Sequence, residues 1–390
     1  MPVTTITSGV QYSGIWNISS QANAKAAGTW PVQYPKLYAW GYNNNGQAGV
    51  GNTTAISAPV VVSSSNWASI SSNPGGLFVL ATKSDGTLWS WGNNGNGQLG
   101  LGNQTYFSSP KQVGLLTNWL KISAGYSHST AVKTDGTIWV WGRNNLGQLG
   151  LNNTTYYSSP KQLGALTNWS DVSAGYYTCI AIKTNGTIWT WGYNGDGRLG
   201  LGNSTYYSSP KQIGALTTWL SISAGYASGF GITTSGALWA WGRNGAGQLG
   251  IGSTTNNSSP AQVGALTNWS SIASGAAGTS ANAFTLAVKT DGTAWTWGYG
   301  VNGQLGLGNT TSYSSPKQLG ALTNWLLVSC GKYSAVSIKT DGTLWSWGRN
   351  AQYALGLGNT TNYSSPKQIG SETGWLKATG GEYPGLAIQQ

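Results

Sequence analysis

Few side chains in this 390-residue sequence could do acid–base, nucleophilic or metal chemistry. The chain has one histidine, His128, two cysteines, Cys179 and Cys330, and eight acidic residues. Hydrolytic and metal chemistry draws mostly on these four residue types. His128 has no carboxylate or thiol in its own segment, and the cysteines are interpreted as small buried apolar residues. The sequence therefore predicts a protein that is not an enzyme and has no cofactor and no metal site.

A glycine pattern suggests nucleotide chemistry at first sight. Gly95–Gly100, Gly195–Gly200 and Gly245–Gly250 all fit Gly-x-Gly-x-x-Gly. This pattern binds a dinucleotide where a helix begins at it and directs its N-terminus at the pyrophosphate. Here each copy follows a predicted strand and leads into further glycine and asparagine residues. We therefore interpret the pattern as a tight loop between strands.

A recurring carboxylate is also better explained by structure than by chemistry. Asp85, Asp135, Asp291 and Asp341 each precede a glycine. Asp-Gly is a strong signal for a two-residue hairpin, because both central residues take positive φ. One carboxylate per repeat cannot supply the six to eight oxygens that Ca²⁺ needs. These aspartates are interpreted as turn formers, and each turn predicts a strand on either side of it.

The turns belong to a long internal repeat. The motif Trp-x-Trp-Gly begins at Trp89, Trp139, Trp189, Trp239, Trp295 and Trp345, and a degenerate copy begins at Tyr38. Successive copies are 50 to 56 residues apart, and a further tryptophan follows the second Trp of each copy by 27 or 28 residues. These two sets contain 20 of the 22 tryptophans and leave only Trp16 and Trp30 outside. The chain is therefore an array of seven units, preceded by a segment of residues 1–35.

Each unit predicts four short strands and no helix. In one unit the strands are Trp169–Ala174, Thr178–Lys183, Ile188–Gly192 and Lys211–Gly214. Four-stranded sheets repeated radially form a β-propeller. The chain ends with the first two strands of a unit, whereas Lys36–Gly41 has the sequence of a third strand. The predicted fold is all-β: a seven-bladed β-propeller over residues 36–390, closed by pairing the C-terminal strands with an N-terminal strand.

The same residues carry a family resemblance. Thr134–Asn153 (TDGTIWVWGRNNLGQLGLNN), followed by a proline and then by Trp-x-x-Ile-Ser-Ala-Gly, resembles the regulator-of-chromosome-condensation repeat. The resemblance covers residues 36–390 and implies a seven-bladed propeller. Better-known members of that family contact chromatin and activate a small GTPase. The residues for neither role can be matched here, so neither role is carried over.

The net charge of +11 comes from scattered lysines and a shortage of acids. Five lysines precede the hairpin turns and five follow the repeated proline. They are Lys83, Lys133, Lys183, Lys289 and Lys339, and then Lys111, Lys161, Lys211, Lys317 and Lys367. Lysines spread around a circle are interpreted as a solvating surface, so nucleic acid is not expected as a partner. No apolar run reaches the roughly 18 residues of a membrane span, and no membrane insertion is expected.

Two sets of residues are candidates for a recognition surface. The position after Trp-Gly varies and includes Arg143, Tyr193, Arg243, Tyr299 and Arg349. These residues form a ring on one face if they are equivalent in space. The predicted loop before each proline is also aromatic and includes Tyr156, Tyr157, Tyr206 and Tyr207. Tyrosine with Ser, Asn and Gly is typical of adaptable recognition surfaces. The alternative is that these tyrosines pack over neighbouring blades.

The N-terminal segment, residues 1–35, belongs to no repeat. Trp16 and Trp30 would be a liability if exposed, so we expect them to dock on this propeller or on another chain. Tyr12–Pro31 (YSGIWNISSQANAKAAGTWP) is similar to N-terminal segments of bacteriophage virion proteins. That resemblance implies that residues 1–35 attach the propeller to other virion proteins.

The favoured hypothesis is a structural or recognition protein exposed on a bacteriophage particle, as a fibre, spike or decoration protein. It would be located in the virion, and its partners would be virion proteins, a host-surface glycan or protein, and further copies of itself. A free-standing binding module, such as a lectin or a protein inhibitor, is the alternative. A nucleic-acid or GTPase-linked regulator is the least favoured.

Overall fold

The structure is a computed structural model, and it describes residues 34–72, 75, 77–275, 282–380 and 384–390. Pro35–Gln390 forms one compact unit. Trp16 and Trp30 lie outside the described residues, as does the predicted attachment segment apart from residues 34 and 35. The propeller can be described without them.

Six blades each consist of four consecutive antiparallel strands. Blade 1 is β3 (Trp67–Ser72), β4 (Phe78–Lys83), β5 (Leu88–Gly92) and β6 (Phe107–Gln112). Blade 2 is β7 (Trp119–Ala124), β8 (His128–Lys133), β9 (Ile138–Gly142) and β10 (Tyr157–Gln162). Blade 3 is β11 (Trp169–Ala174), β12 (Thr178–Lys183), β13 (Ile188–Gly192) and β14 (Tyr207–Gln212).

The next three blades follow the same plan. Blade 4 is β15 (Trp219–Ala224), β16 (Ser228–Thr233), β17 (Leu238–Gly242) and β18 (Asn257–Gln262). Blade 5 is β19 (Trp269–Ser274), β20 (Phe284–Lys289), β21 (Ala294–Gly298) and β22 (Tyr313–Gln318). Blade 6 is β23 (Trp325–Cys330), β24 (Ser334–Lys339), β25 (Leu344–Gly348) and β26 (Tyr363–Gln368). Among the described residues the one helical element is a 3₁₀ turn, Ala351–Tyr353, and no helix there could cross a membrane.

Blade 7 joins the two ends of the propeller, as predicted. Its sheet has the order β2 (Ile56–Ser63), β1 (Lys36–Gly41), β28 (Gly385–Gln389) and β27 (Trp375–Thr379). Five residue pairs align β1 with β28, from Lys36 with Gln389 to Trp40 with Gly385. A hydrogen bond between the hydroxyls of Ser72 and Thr379 links blade 7 to blade 1. The closed ring removes the open sheet edges that would otherwise invite aggregation.

The outer strand of each blade differs from the prediction. In blade 3 the expected strand after the proline was Lys211–Gly214, but β14 runs from Tyr207 to Gln212 and contains Pro210. The pairing between β13 and β14 is irregular between Gly192 and Thr190. Proline has no N–H to donate, so an outermost strand with an irregular register can accommodate it. Tyr157 and Tyr207, which the sequence placed in loops, therefore begin outer strands.

The second tryptophan of each Trp-x-Trp motif forms the core. Each of these seven side chains is at most 1% exposed, and its indole N–H donates to a backbone carbonyl of the preceding blade. Such bonds satisfy a donor that would otherwise be buried without a partner. The residues are Trp40, Trp91, Trp141, Trp191, Trp241, Trp297 and Trp347.

The blades expose two different sets of loops on opposite faces of the ring. Successive strands of a blade are antiparallel, so loops leave alternately from each end. The long-loop face carries the loops between first and second strands and between third and fourth strands. The hairpin face carries the turns between second and third strands and the connections to the next blade. First strands of consecutive blades contact one another, and the Ala174 amide donates a 2.9 Å hydrogen bond to the Ser123 hydroxyl of blade 2.

The lysines that end the second strands contradict the prediction of a solvating surface. Lys133, Lys183, Lys289 and Lys339 are between 4% and 8% exposed. Each ammonium lies over two tryptophan rings of its own blade, as Lys133 does at 3.7 Å from the centroid of Trp139 and 4.7 Å from that of Trp119. The apolar stem and the cation–π contact favour this burial. The five lysines that follow the proline are exposed, as expected.

Candidate functional site

Six of the seven long loops between third and fourth strands are fixed by an asparagine inside the loop. In blade 2 the Asn144 side-chain oxygen accepts a 2.9 Å hydrogen bond from the Leu149 amide, and its nitrogen donates to the Asn153 carbonyl at 3.0 Å. Five further blades repeat the first of these bonds. Because the asparagine holds both sides of the loop, the residues on it keep defined positions.

The Gly-x-Gly-x-x-Gly pattern lies in these same loops and packs one blade against the next. Gly97 and Gly100 take positive φ values of 76° and 74°. A Cβ atom on Gly100 would lie 2.8 Å from the indole nitrogen of Trp141. Only glycine allows this backbone conformation and this close approach. The segment Gly95–Gly100 follows a strand and opens no helix, so it lacks the geometry that binds a dinucleotide.

The residues after Trp-Gly occupy equivalent places on the long-loop face. Each backbone N–H donates to a carbonyl in the first loop of its own blade, for example from Arg143 to Ser127 at 2.9 Å. Because this bond recurs, the ring that the sequence suggested exists as a set of equivalent, half-buried positions. Its members include Arg143, Tyr193, Arg243, Tyr299 and Arg349.

A stack of three tyrosines, which sequence reasoning missed, lies beside this ring. Tyr126 and Tyr176 stack with centroids 3.9 Å apart and an interplanar angle of 22°, and Tyr226 lies 4.1 Å from Tyr176 on its other side. Burial, followed by the hydrogen bond to Tyr126, raises the pKa of Tyr176 far above its usual value. The signal in the sequence was Ala-Gly-Tyr at the end of three consecutive inner strands.

All four arginines of the chain lie in the long loops, and three of them contact tyrosine rings. Arg143 lies over Tyr177 at 5.2 Å, and Arg349 lies over Tyr333 at 5.2 Å. Arg198 lies over Tyr193 at 4.4 Å and donates to the Tyr226 carbonyl at 3.2 Å. Cation–π contacts of this kind hold a guanidinium in place against a ring.

One carboxylate accompanies these arginines. Asp196 forms an ion pair with Arg198, which is 5% exposed, and a second with Arg243 at 3.4 Å. These are the ion pairs found among the described residues. Since one carboxylate serves two guanidinium groups, the cluster keeps an excess of positive charge.

The predicted loop tyrosines have two different environments. Tyr206 is 48% exposed and packs against Tyr193 with centroids 4.5 Å apart, and Tyr156 is 41% exposed. Tyr157 and Tyr207 instead lie on outer strands, where Lys161 and Lys211 cover their rings at 5.5 and 5.4 Å. The first pair is available for contact, whereas the rings of the second pair are covered by lysines of their own strands.

These residues form one continuous surface over blades 2 to 4, here named the Tyr–Arg surface. It consists of Tyr126, Arg143, Tyr176, Tyr177, Tyr193, Asp196, Arg198, Tyr206, Tyr226 and Arg243. At one edge it borders a cavity of about 260 Å³ between blades 1 and 2. Asn93, Gln98 and Tyr106 line that cavity together with Tyr126 and Arg143. Rings, guanidinium groups, amides and the Asp196 carboxylate can all contact a ligand here.

The chain's histidine and one of its cysteines meet inside the propeller. His128 begins the second strand of blade 2, and its Nε2 lies 3.2 Å from the Cys179 sulfur of blade 3. Burial lowers the pKa of His128 to about 4 and raises that of the Cys179 thiol well above its usual value. Both groups are therefore neutral at pH 7, and the thiol is not activated. Among the described residues no three His, Cys, Asp or Glu side chains group as a metal site.

Comparisons by sequence identify the repeat. A protein-family model described as an RCC1-like domain matches residues 36–387. Human E3 ubiquitin-protein ligase HERC2 is 35% identical over 99 residues, which are 24% of this chain and 2% of HERC2. Human protein RCC2 is 40% identical over 80 residues, which are 20% of this chain and 15% of RCC2. The matched segments are thus small parts of these relatives.

Comparisons by structure agree on the fold. Human WBSCR16 superposes with a TM-score of 0.80 and 20% identity over 91% of this chain and 99% of that protein. Prp20p from Saccharomyces cerevisiae, described with its binding to Gsp1p and histones, gives a TM-score of 0.80 and 19% identity. That alignment covers 92% of each chain. At such identities the likeness concerns the fold alone.

Proposed function

This chain belongs to the RCC1-like domain family, and from that premise we propose that it is a non-enzymatic recognition protein that binds its partner through the Tyr–Arg surface. The observation that carries the proposal is the grouping of three arginines with a stack of tyrosines on one face. Tyrosine and arginine are the residues on which binding energy concentrates in protein interfaces.

The chemistry of the surface favours an anionic or hydroxyl-rich partner. Arg198 and Arg243 share a single carboxylate, Asp196, and Arg143 forms no ion pair within the described part of the chain, so a negatively charged group gains from binding there. The tyrosine rings offer flat apolar area and polar hydroxyl tips, which suit a glycan or a protein loop. A host-surface glycan or protein is therefore the proposed partner.

We place this recognition on the surface of a bacteriophage particle. The support is the similarity of Tyr12–Pro31 to N-terminal segments of virion proteins. In this proposal residues 1–35, with Trp16 and Trp30, attach the chain to other virion proteins. A free-standing lectin or protein inhibitor would use the same surface without an attachment segment, and it is the alternative.

The recognition proposal can be tested with an array of neutral and acidic glycans and with intact host cells. Tyr176→Ala and Arg143→Gln should each reduce retention of the chain about tenfold or more, as for residues that carry much of an interface's energy. Tyr363→Ala is the matched control, because Tyr363 begins the outer strand of blade 6, outside blades 2 to 4, and its ring is covered by Lys367. Equal losses in all three variants, or none, would contradict the proposal.

The attachment proposal has a separate test. Size-exclusion chromatography with light scattering compares the full chain with residues 36–390. A defined oligomer formed by the full chain alone supports an assembly role for residues 1–35, whereas two identical monomers favour the free-standing module. Binding to DNA that falls steeply with salt would instead support the nucleic-acid alternative.

A further inference from the structure

Apolar grooves lie between neighbouring blades, and the residues that line them do not belong to the Tyr–Arg surface. Three of them, between blades 1 and 2, 2 and 3, and 5 and 6, have volumes of about 400, 400 and 410 Å³. Each is lined by two tryptophans of one blade and by leucines of the blade before it. These volumes lie within the range of small-molecule sites.

The groove between blades 2 and 3 has apolar walls. Trp169, Trp189 and Pro210 of blade 3 form one side, and Leu151, Leu163 and Leu166 of blade 2 form the other. Leu166 is 49% exposed at the rim, so part of the apolar surface meets water. An apolar molecule placed here would remove that surface from water.

Lys183 is the one charged residue that lines this groove. Its ammonium lies 3.9 Å from the centroid of Trp189 and 4.8 Å from that of Trp169, and the side chain is 8% exposed. In the described part of the chain no carboxylate forms an ion pair with it. A buried cation held only by aromatic rings is incompletely compensated.

Comparison with other blades shows what Lys183 lacks. Lys339 lines the equivalent groove between blades 5 and 6, and the hairpin beside it carries Asp341. In blade 3 that hairpin position is Asn185. The Asn185 side-chain oxygen accepts 3.2 and 2.7 Å hydrogen bonds from the Thr187 amide and hydroxyl, as the Asp341 carboxylate does from Thr343. The two turns have the same geometry and differ by one negative charge.

We propose that the groove between blades 2 and 3 binds a small apolar monocarboxylate. The apolar body lies against Trp189 and Leu166, and the carboxylate lies beside the Lys183 ammonium. The charge complementarity argues for this ligand, because the blade 3 site offers a cation and a wall of apolar surface without a competing carboxylate. The equivalent groove at Lys339 already has Asp341 nearby and binds such a ligand more weakly.

The test uses 3-phenylpropionate and its neutral counterpart 3-phenylpropanol as probes. Isothermal titration calorimetry with the full chain at pH 7 measures both. The acid should bind more tightly than the alcohol at its tightest site. Asn185→Asp, which keeps the turn's hydrogen bonds, should weaken binding of the acid at that site about threefold and leave binding of the alcohol unchanged. Asp341→Asn should strengthen binding of the acid at the Lys339 groove by a similar factor.

Two more variants locate the site. Lys183→Gln should remove the preference for the acid over the alcohol, and Leu166→Ser should weaken the binding of both probes. A circular dichroism melt confirms that each variant is folded. The proposal is overturned if the acid does not bind at millimolar concentration, if acid and alcohol bind equally, or if Asn185→Asp or Leu166→Ser leaves binding of the acid unchanged.

Discussion

The indole Nε1 of Trp141 donates a 2.8 Å hydrogen bond to the carbonyl oxygen of Gln98, and this bond joins blade 2 to blade 1. The neighbouring Trp139 donates to the Thr137 hydroxyl of its own blade at 2.9 Å. The two tryptophans of one Trp-x-Trp motif therefore have different roles. One connects blades, and the other supports its own hairpin.

Trp141→Phe should lower the free energy of unfolding by about 1–3 kcal/mol, because it removes a buried hydrogen bond between blades and leaves a cavity where the larger ring was. Trp139→Phe should lower the free energy of unfolding by less, since Trp139 is half-buried and water can replace its hydrogen bond. Urea unfolding followed by circular dichroism measures both. Equal losses would mean that the bond between blades contributes no more than the local one.

Acid should destabilise the protein through His128. Burial lowers the pKa of His128 from 6.5 to about 4 in the folded state. Above pH 6.5 the imidazole is neutral in both states and the full stability is present. As the pH falls towards 4, the unfolded state gains a proton that the folded state does not. The free energy of unfolding therefore falls by about 3 kcal/mol.

The histidine variant isolates that effect. In His128→Thr, which copies Thr178 of blade 3, the difference in unfolding free energy between pH 7 and pH 4.5 should shrink. His128 is the only histidine of the chain, so no other imidazole contributes. An unchanged pH dependence in the variant would assign the acid sensitivity to carboxylates instead.

Lysines that look alike in sequence should differ in their effect on stability. Lys133→Ala removes a side chain that is 4% exposed and lies over two tryptophan rings, and we expect a loss of about 2 kcal/mol. Lys161→Ala changes an exposed lysine and should stay within about 0.5 kcal/mol. Thermal and urea unfolding test the pair, and equal effects would contradict a structural role for Lys133.

We expect β28, the strand that closes the ring, to stabilise the whole propeller and not only blade 7. Removing residues 384–390 deletes β28, which pairs with both β1 and β27, and leaves two sheet edges open. We expect a large loss of thermal stability together with aggregation on heating. Removing Gln390 alone, which follows the strand, is the control. A truncated chain that melts like the full one would mean that six blades suffice.

Sequence reasoning found the blades because their signals are local. Trp-x-Trp-Gly, the Asp-Gly turn and the spacing of about 50 residues are each visible within one unit. It missed contacts that join units. His128 and Cys179 are 51 residues apart and occupy different repeat positions, yet their strands face each other across a blade boundary. The burial of Lys133 was missed for another reason, because charge alone predicts exposure and the two rings that cover it come from separate strands.

Part of the Tyr–Arg surface could also be predicted, because the signal for that part is local in the sequence. Arg143 and Tyr193 follow a fixed motif, so their equivalence could be inferred from spacing. The stack of Tyr126 on Tyr176 depends on the angle between neighbouring blades, which a linear pattern does not contain.

The pairing of β1 with β28 also sets an order of events in folding. Residues such as Leu37 and Ile388 meet only after nearly the whole chain has been made. Blades 1 to 6 consist of consecutive strands and can form as they are synthesised, whereas β1, already paired with β2, must wait for β28. Contacts this distant in sequence are slow to form. Ring closure is therefore expected to be the slow step of folding, and the hairpin of β1 and β2 stays without its partner strand until β28 has been made.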